Sequence, residues 1–150
     1  MKTLIIGLAL IATVAGAQMQ DGVVRGMAYA VCGGSSRVQD ASITVIKSGV
    51  GAGQEAAHVG FYLQKSDYDT GPETWGVMRG MAVRMSQAGN TLTNIHYISV
   101  TPRKKQRGRY AYDDALHTVT LPIEIIKRTP GTLTFAQLRA LAEKYGEYSK

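Results

Sequence analysis

Several segments of the chain alternate between apolar and polar residues with the period of a β-strand. Segment 41–47 is rich in β-branched residues, and segments 91–101 and 115–126 place most of their apolar side chains at alternate positions. Because successive side chains of a strand point to opposite faces of a sheet, each segment is predicted to form a strand. The apolar segment 22–32 ends at a glycine-serine turn and is also predicted as a strand, neighbouring 41–47 in the sheet.

Other segments have the helical period. Apolar residues at spacings of three and four predict a central helix over 73–88; they are Trp75, Met78, Met81, Ala82 and Met85. Within 132–148, Thr134 and Gln137 have the spacing of a capping box, and the apolar residues that follow share one helical face. Segment 54–65 fits either period and is predicted as a helix, with a short strand over 58–63 as the alternative.

Strands interspersed with helices predict an α+β fold. In this prediction a small mixed or antiparallel sheet carries the central helix and the amphipathic C-terminal helix packed on it. The chain of 150 residues has the length of one domain, and 45% hydrophobic with 19% charged residues excludes a wholly disordered chain.

The first seventeen residues have the features of a secretory signal peptide. Lys2 precedes an apolar stretch that ends in Ala15-Gly16-Ala17, with small residues at the two positions that signal peptidase reads. An uncleaved membrane anchor is the alternative, but the stretch is shorter than the ~20 residues needed to span a bilayer. We therefore expect cleavage after Ala17, a single mature domain over 18–150 without a transmembrane span, and a periplasmic or extracellular location.

Cys32 is the only cysteine, which excludes a disulfide scaffold and a CxxC site. A lone cysteine in an oxidising compartment is either a small buried hydrophobe or one half of an intermolecular bridge. Burial is the favoured interpretation of Cys32.

Positive charge is concentrated in one short segment. The chain has 17 lysines and arginines against 11 acidic residues, and Lys2 leaves with the signal peptide. Five of the 16 remaining basic residues account for the whole excess of positive charge; they are Arg103, Lys104, Lys105, Arg107 and Arg109. A β-hairpin of strands 91–101 and 115–126 would carry them at its tip, and Pro122 indicates that the second strand lies at an edge or bulges.

Such a tip would attract an anionic macromolecule or an acidic protein surface. Tyr110 and Tyr112 flank the cluster and could stack on bases or sugars, so nucleic acid is among the candidate partners. Lipid headgroups and anionic polysaccharide fit the same charge. A solvated hairpin tip without any partner is the alternative.

A catalytic hypothesis comes from the same two strands. If their hairpin turns near residues 107 and 108, His96 and His117 share a face as diagonal neighbours about 7 Å apart. Such a pair could supply a general base and a general acid, and nearby arginine or lysine could stabilise the transition state of a metal-free ribonuclease. The same face is otherwise apolar, where histidine is more often a core residue.

We predict no metal or cofactor. A three-histidine site that includes His58 and a copper site of the helical methionines are weaker interpretations. The favoured function is an exported, non-catalytic binding or assembly protein that contacts an anionic partner through its basic hairpin. A small secreted phosphodiesterase using His96 and His117, and a self-associating structural subunit, are the alternatives.

Overall fold

A computed structural model of the protein describes residues 19–65, 68–89, 91–105 and 113–150. The predicted signal peptide lies outside these ranges. Within them, no helix combines the length and the apolar character that crossing a bilayer requires.

The described residues form a six-stranded mixed sheet at the centre of the structure, which confirms the predicted α+β class. Its strands are β1 (Val38–Val45), β2 (Glu55–Tyr62), β3 (Tyr97–Lys105), β4 (Asp113–Ala115), β5 (Thr118–Pro122) and β6 (Glu147–Ser149). The order across the sheet is β1-β2-β3-β5-β6, and β4 pairs with the far end of β3. Only the β2–β3 pair is parallel among these pairings.

Four helices accompany the described strands. They are α1 (residues 19–32), α2 (Gly71–Gln87), α3 (Ile123–Arg128) and α4 (Phe135–Tyr145). A parallel pair cannot be joined by a tight turn, and α2 provides the crossover between β2 and β3. α2 confirms the central helix predicted over 73–88. It begins two residues before the predicted start and ends one residue before the predicted end.

One face of the sheet packs against helices and forms the core. Val59, Ile98 and Val100 of the sheet are fully buried with Trp75, Met78 and Met81 of α2. α2 contacts β3, and α4 contacts β5. The helical methionines therefore fill the core, as methionine commonly does.

Segment 22–32 is helical, so the predicted strand and its pairing with 41–47 are wrong. Val24, Ala28 and Cys32 are buried at a spacing of four, whereas Gly22 and Gly26 are exposed. The helical period was therefore in the sequence, but two glycines and a run of small residues concealed it. The Asp21 side chain of α1 accepts a hydrogen bond from the backbone N–H of Ile43, which ties the helix to β1 at 2.8 Å.

Most of segment 54–65 forms β2, so the predicted helix is wrong. The alternative, a strand over 58–63, is right in type, but the strand begins three residues earlier and ends one residue earlier. β2 lies between β1 and β3, and its backbone pairs on both sides. Ala57, Val59 and Phe61 point into the core with a period of two. Pairing with two neighbouring strands overrides the weak local preference of a segment that contains two alanines and a glycine.

Both strands of the predicted hairpin differ in extent from the prediction. Residues 91–94 form a turn, and β3 begins only at Tyr97. Segment 115–126 divides into the end of β4, then β5, then α3. Pro122 is the last residue of β5, and the pairing of β5 with β6 has ended before it. The N–H group that proline lacks therefore costs no hydrogen bond between these two strands. The pairing of β3 with β4 and β5 is antiparallel, as predicted.

The helix starts are held by side-chain caps. The predicted capping box of α4 is confirmed, with Thr134 accepting from the Gln137 N–H and Gln137 accepting from the Thr134 N–H. Thr70 occupies the N-cap position of α2 but makes no side-chain capping bond. Asp69 takes this role, because its Oδ1 accepts the N–H groups of both Gly71 and Phe135 at 2.8 Å. One carboxylate thus joins the starts of α2 and α4.

Candidate binding sites on the sheet

The predicted basic cluster begins in the last three residues of β3. Arg103, Lys104 and Lys105 pair with the three residues of β4, so the two strands flank segment 106–112. The remaining predicted contact residues, Arg107, Arg109, Tyr110 and Tyr112, lie outside the described residues. The basic cluster is therefore supported by an antiparallel pair of strands at its base.

Lys104 and Lys105 line an open cavity of about 410 Å³. Its other walls come from the 3₁₀ turn before β1 and from the end of β2, with the lining Ser36, Arg37, Tyr62, Leu63 and Gln64. We call this space the basic cavity. Three cationic side chains surround it. Arg37 comes from the turn before β1, and Lys104 and Lys105 come from the end of β3.

Arg37 is the rigid member of this group. Its guanidinium donates to the backbone oxygen of Tyr62 at 2.7 and 3.1 Å and forms an ion pair with Glu73 at 2.9 Å. The same Glu73 oxygen accepts from the Gln64 N–H at 2.7 Å. Arg37 is therefore fixed in position, and Glu73 offsets its charge.

The two lysines supply the positive charge of the basic cavity. Lys105 Nζ lies 5.2 Å from the centre of the Tyr62 ring, a cation–π distance. Asp114 is the cross-strand neighbour of Lys104 and offsets part of its charge.

The predicted contact between His96 and His117 is wrong. β3 pairs Ile98 with Leu121, whereas the catalytic hypothesis required Ile98 to lie opposite His117. This register moves His117 beside Pro102, six residues or about 20 Å along β3 from His96. A residue pair so far apart cannot act on one bond.

The two histidines lie in different surroundings. His96 is exposed and lines a cavity of about 290 Å³ together with Glu124 and Lys127. His117 is buried between β4 and β5, with its ring centre 4.7 Å from that of Phe135 and 5.9 Å from that of Tyr148. Burial lowers the pKa of His117, and its Nε2 has no hydrogen-bond partner among the described atoms. Neither a catalytic role nor a partner follows from this packing.

The sheet face opposite the helices carries a row of polar residues that the sequence analysis missed. Strand pairing aligns one residue from each of five strands in this row, which consists of Ser42, His58, Ser99, Thr120 and Glu147. The next row contains Thr101 and Thr118, whose hydroxyl oxygens are 2.7 Å apart. We call this surface the polar face.

A cavity of about 240 Å³ lies on the polar face around His58. His58 Nδ1 is 3.1 Å from Ser99 Oγ. Burial lowers the pKa of His58, while the nearby Asp40 acts in the opposite direction and Arg103 lowers it further. The imidazole is therefore neutral at pH 7, and it can both donate and accept a hydrogen bond.

The signal for the polar face was present in the sequence as serine and threonine at alternate strand positions. It was missed because His58 was assigned to a helix and because β3 and β5 were paired in a different register. The three histidines lie apart, and the described residues contain no group of histidine, cysteine or acidic side chains that could hold a metal ion. The three-histidine metal site is therefore wrong.

Two surfaces thus stand out by their chemistry, the basic cavity with its lysines and the polar face around His58. The first carries excess positive charge, and the second is lined mainly by uncharged groups. Comparison of the chain with protein families, with characterised proteins and with solved structures finds no match.

Proposed function

We propose that this protein is exported and binds an anionic macromolecule or an acidic protein surface through the basic residues of segment 103–109. The observation that carries the proposal is the convergence of Lys104, Lys105 and Arg37 on one open cavity. The excess positive charge of the mature chain also resides in this segment. A net excess of positive charge in one place raises the local concentration of anionic partners and accelerates their association.

The side chains around the basic cavity suit an extended anion. The two lysine ammonium groups can each donate to a phosphate, sulfate or carboxylate oxygen, and they can follow a polymer because their stems are flexible. Ser36 and Gln64 add uncharged polar groups at the opposite wall. Arg37 is held by Glu73 and the Tyr62 carbonyl, and it therefore shapes the cavity more than it adds charge.

Export is supported by the sequence of residues 1–17 alone. The expected mature protein begins at Gln18, and mass spectrometry of the protein from the cell envelope or the medium measures this directly. Replacement of Ala17 by Leu should prevent processing, since signal peptidase accepts only small residues there. A mature chain that still contains residues 1–17 would contradict the proposal of export.

Charge reversal at the basic cavity tests the binding proposal. Binding to heparin and to single-stranded DNA should be measured over a series of salt concentrations for the mature protein and for Lys104→Glu/Lys105→Glu. Loss of two phosphate contacts should reduce the slope of log K against log salt by about 1.4 on single-stranded DNA. We expect the affinity at low salt to fall at least tenfold.

The matched control is Arg25→Glu/Lys150→Glu, because it changes the net charge equally at two exposed positions elsewhere. This control should bind almost as the native protein does. Equal loss in both variants would show that only net charge matters. That outcome, or no binding by the native protein at low salt, would contradict the proposed site.

The phosphodiesterase alternative has no support from the geometry. It required His96 and His117 to lie together, and the strand register separates them. The basic residues at the end of β3 remain distant from His96, which precedes the start of that strand. We therefore propose binding without catalysis at this surface.

A further inference from the structure

The cavity on the polar face has an unusual floor for the outer side of a sheet. Ser99 is only 5% exposed and Thr120 only 1%, although both point away from the helices and line this cavity. Polar groups at such depth are normally hydrogen-bonded, because leaving them unpaired costs free energy. The described part of this face thus forms a recessed polar pocket in place of a flat, solvated surface.

The chemistry of the floor is that of uncharged hydrogen-bonding groups. Thr44, Ser99, Thr118, Thr120 and Ser149 bring hydroxyls, and His58 brings a neutral imidazole. A hydroxyl offers one donor and two acceptor positions, so Ser99 keeps unused capacity after its contact with His58. The best complement to such groups is a molecule that itself carries several hydroxyls.

The charges around this cavity balance. Lys47 and Glu147 are its two charged lining residues, one of each sign. The Glu147 carboxylate accepts hydrogen bonds from the N–H and the hydroxyl of Ser48, which fixes it at the wall. A strongly anionic ligand would meet Glu147, and a cation would meet Lys47, so the charge pattern favours a neutral ligand.

We propose that the cavity around His58 and Ser99 binds a small, neutral, polyhydroxylated molecule of the monosaccharide class. Its volume of about 240 Å³ lies below the roughly 300–1,000 Å³ of sites for drug-sized ligands, which limits the occupant to a small molecule. This site is independent of the basic cavity. Its ligand is recognised by hydrogen bonds from the row of side chains that spans β2, β3, β5 and β6.

NMR titration of the mature protein with D-glucose, D-galactose, D-ribose and N-acetylglucosamine tests the proposal. At least one sugar should saturably shift the resonances of His58 and Ser99 at millimolar concentration. Thr120→Val removes a buried hydroxyl while it keeps the side-chain shape, and it should weaken binding about tenfold. Ser99→Ala provides a second test if Thr120→Val does not fold, as judged by circular dichroism.

Two controls make the result specific. Thr132→Val removes the hydroxyl of an exposed threonine outside the cavity and should bind as the native protein does. Lys104→Glu/Lys105→Glu should also retain sugar binding, which separates this site from the proposed anion site. The proposal would be overturned if none of the four sugars gave a saturable shift. It would also be overturned if Thr120→Val and Thr132→Val bound a sugar with equal affinity, or if inorganic phosphate bound saturably at His58.

Discussion

The half-buried His58 and the buried His117 illustrate how the surroundings of one residue type decide its behaviour. His58 has Ser99 Oγ within 3.1 Å and opens onto a polar cavity. His117 packs against the rings of Phe135 and Tyr148, and its Nε2 has no hydrogen-bond partner in the described part of the chain. Burial lowers the pKa of both side chains, but only His58 has polar groups that could use its nitrogen atoms in binding.

His117 should make the protein less stable in acid. Its folded-state pKa lies below the ordinary value of 6.5, so the unfolded chain takes up a proton first as the pH falls below 6.5. His117→Phe should remove this contribution, which amounts to at most about 1.4 kcal/mol per pH unit for one proton. Urea unfolding at pH 7 and pH 5 should show a smaller loss of stability in the variant than in the native protein.

The lowered pKa of His58 also makes the folded protein less stable in acid. His117→Phe should therefore reduce the loss of stability at low pH without abolishing it. The control is Thr132→Val, at an exposed position without a titratable side chain, which should retain the pH dependence of the native protein. Identical pH dependence in His117→Phe and the native protein would show that His117 has a hydrogen-bond acceptor in the folded state.

At the scale of elements, the start of α2 is determined by close packing of backbones. A Cβ at Gly71 would overlap the backbone of Thr134 and Phe135, where α4 begins. Gly76 is exposed in the same helix, and a Cβ there would meet no described heavy atom within 4 Å. Substitution of these two glycines should therefore change the stability of the protein in opposite directions, although both belong to one helix.

Gly71→Ala should destabilise the protein by about 2 kcal/mol or more, because the helix starts must move apart. Gly76→Ala should stabilise it by about 0.5–1 kcal/mol, since alanine loses less backbone entropy in a helix than glycine does. Urea unfolding of both variants measures the difference. Equal stability of the two would contradict the close contact between α2 and α4.

The elements that the sequence predicted correctly carry strong local signals. α4 has a reciprocal capping box, and α2 has a regular apolar stripe that ends up fully buried. α1 and β2 were predicted incorrectly because glycine and alanine weaken the local preference of both segments. Their conformations depend on packing against α2 in one case and on pairing with two strands in the other.

At the scale of the whole molecule, β3 connects the two candidate sites. Its first half contributes Ser99 and Thr101 to the polar face, and its last two residues contribute the lysines of the basic cavity. A central strand is rigid because it pairs on both sides, so both groups of side chains are held on one scaffold. The excess positive charge resides at one end of this strand and in the segment that follows it.

The thiol of Cys32 should react with thiol reagents only when the folded structure opens. It is 8% exposed, and burial raises the pKa of its thiol, so little thiolate is available in the folded state. Labelling by a disulfide reagent should be at least about a hundredfold slower in the native protein than in urea. The elution volume in size-exclusion chromatography should not change with reductant.

Rapid labelling of the native protein would show that α1 opens readily. A dimer that disappears with reductant would support the alternative in which this chain assembles through an intermolecular bridge. A serine variant at Cys32 is the control, since it should give no labelling and no reductant-dependent species.

The sequence alone determined the α+β class, the buried methionine stripe, the capping box and the concentration of positive charge. These features depend on residues that are close together in the chain, where periodicity and capping act. Only the tertiary structure decided that His96 and His117 lie apart and that His58, Ser99 and Thr120 lie in one row. A shift of four residues between two strands leaves every side chain on the same face of the sheet, so the hydrophobic pattern is equally satisfied before and after it. The choice between those registers comes from contacts between distant segments, and it determines which polar side chains meet.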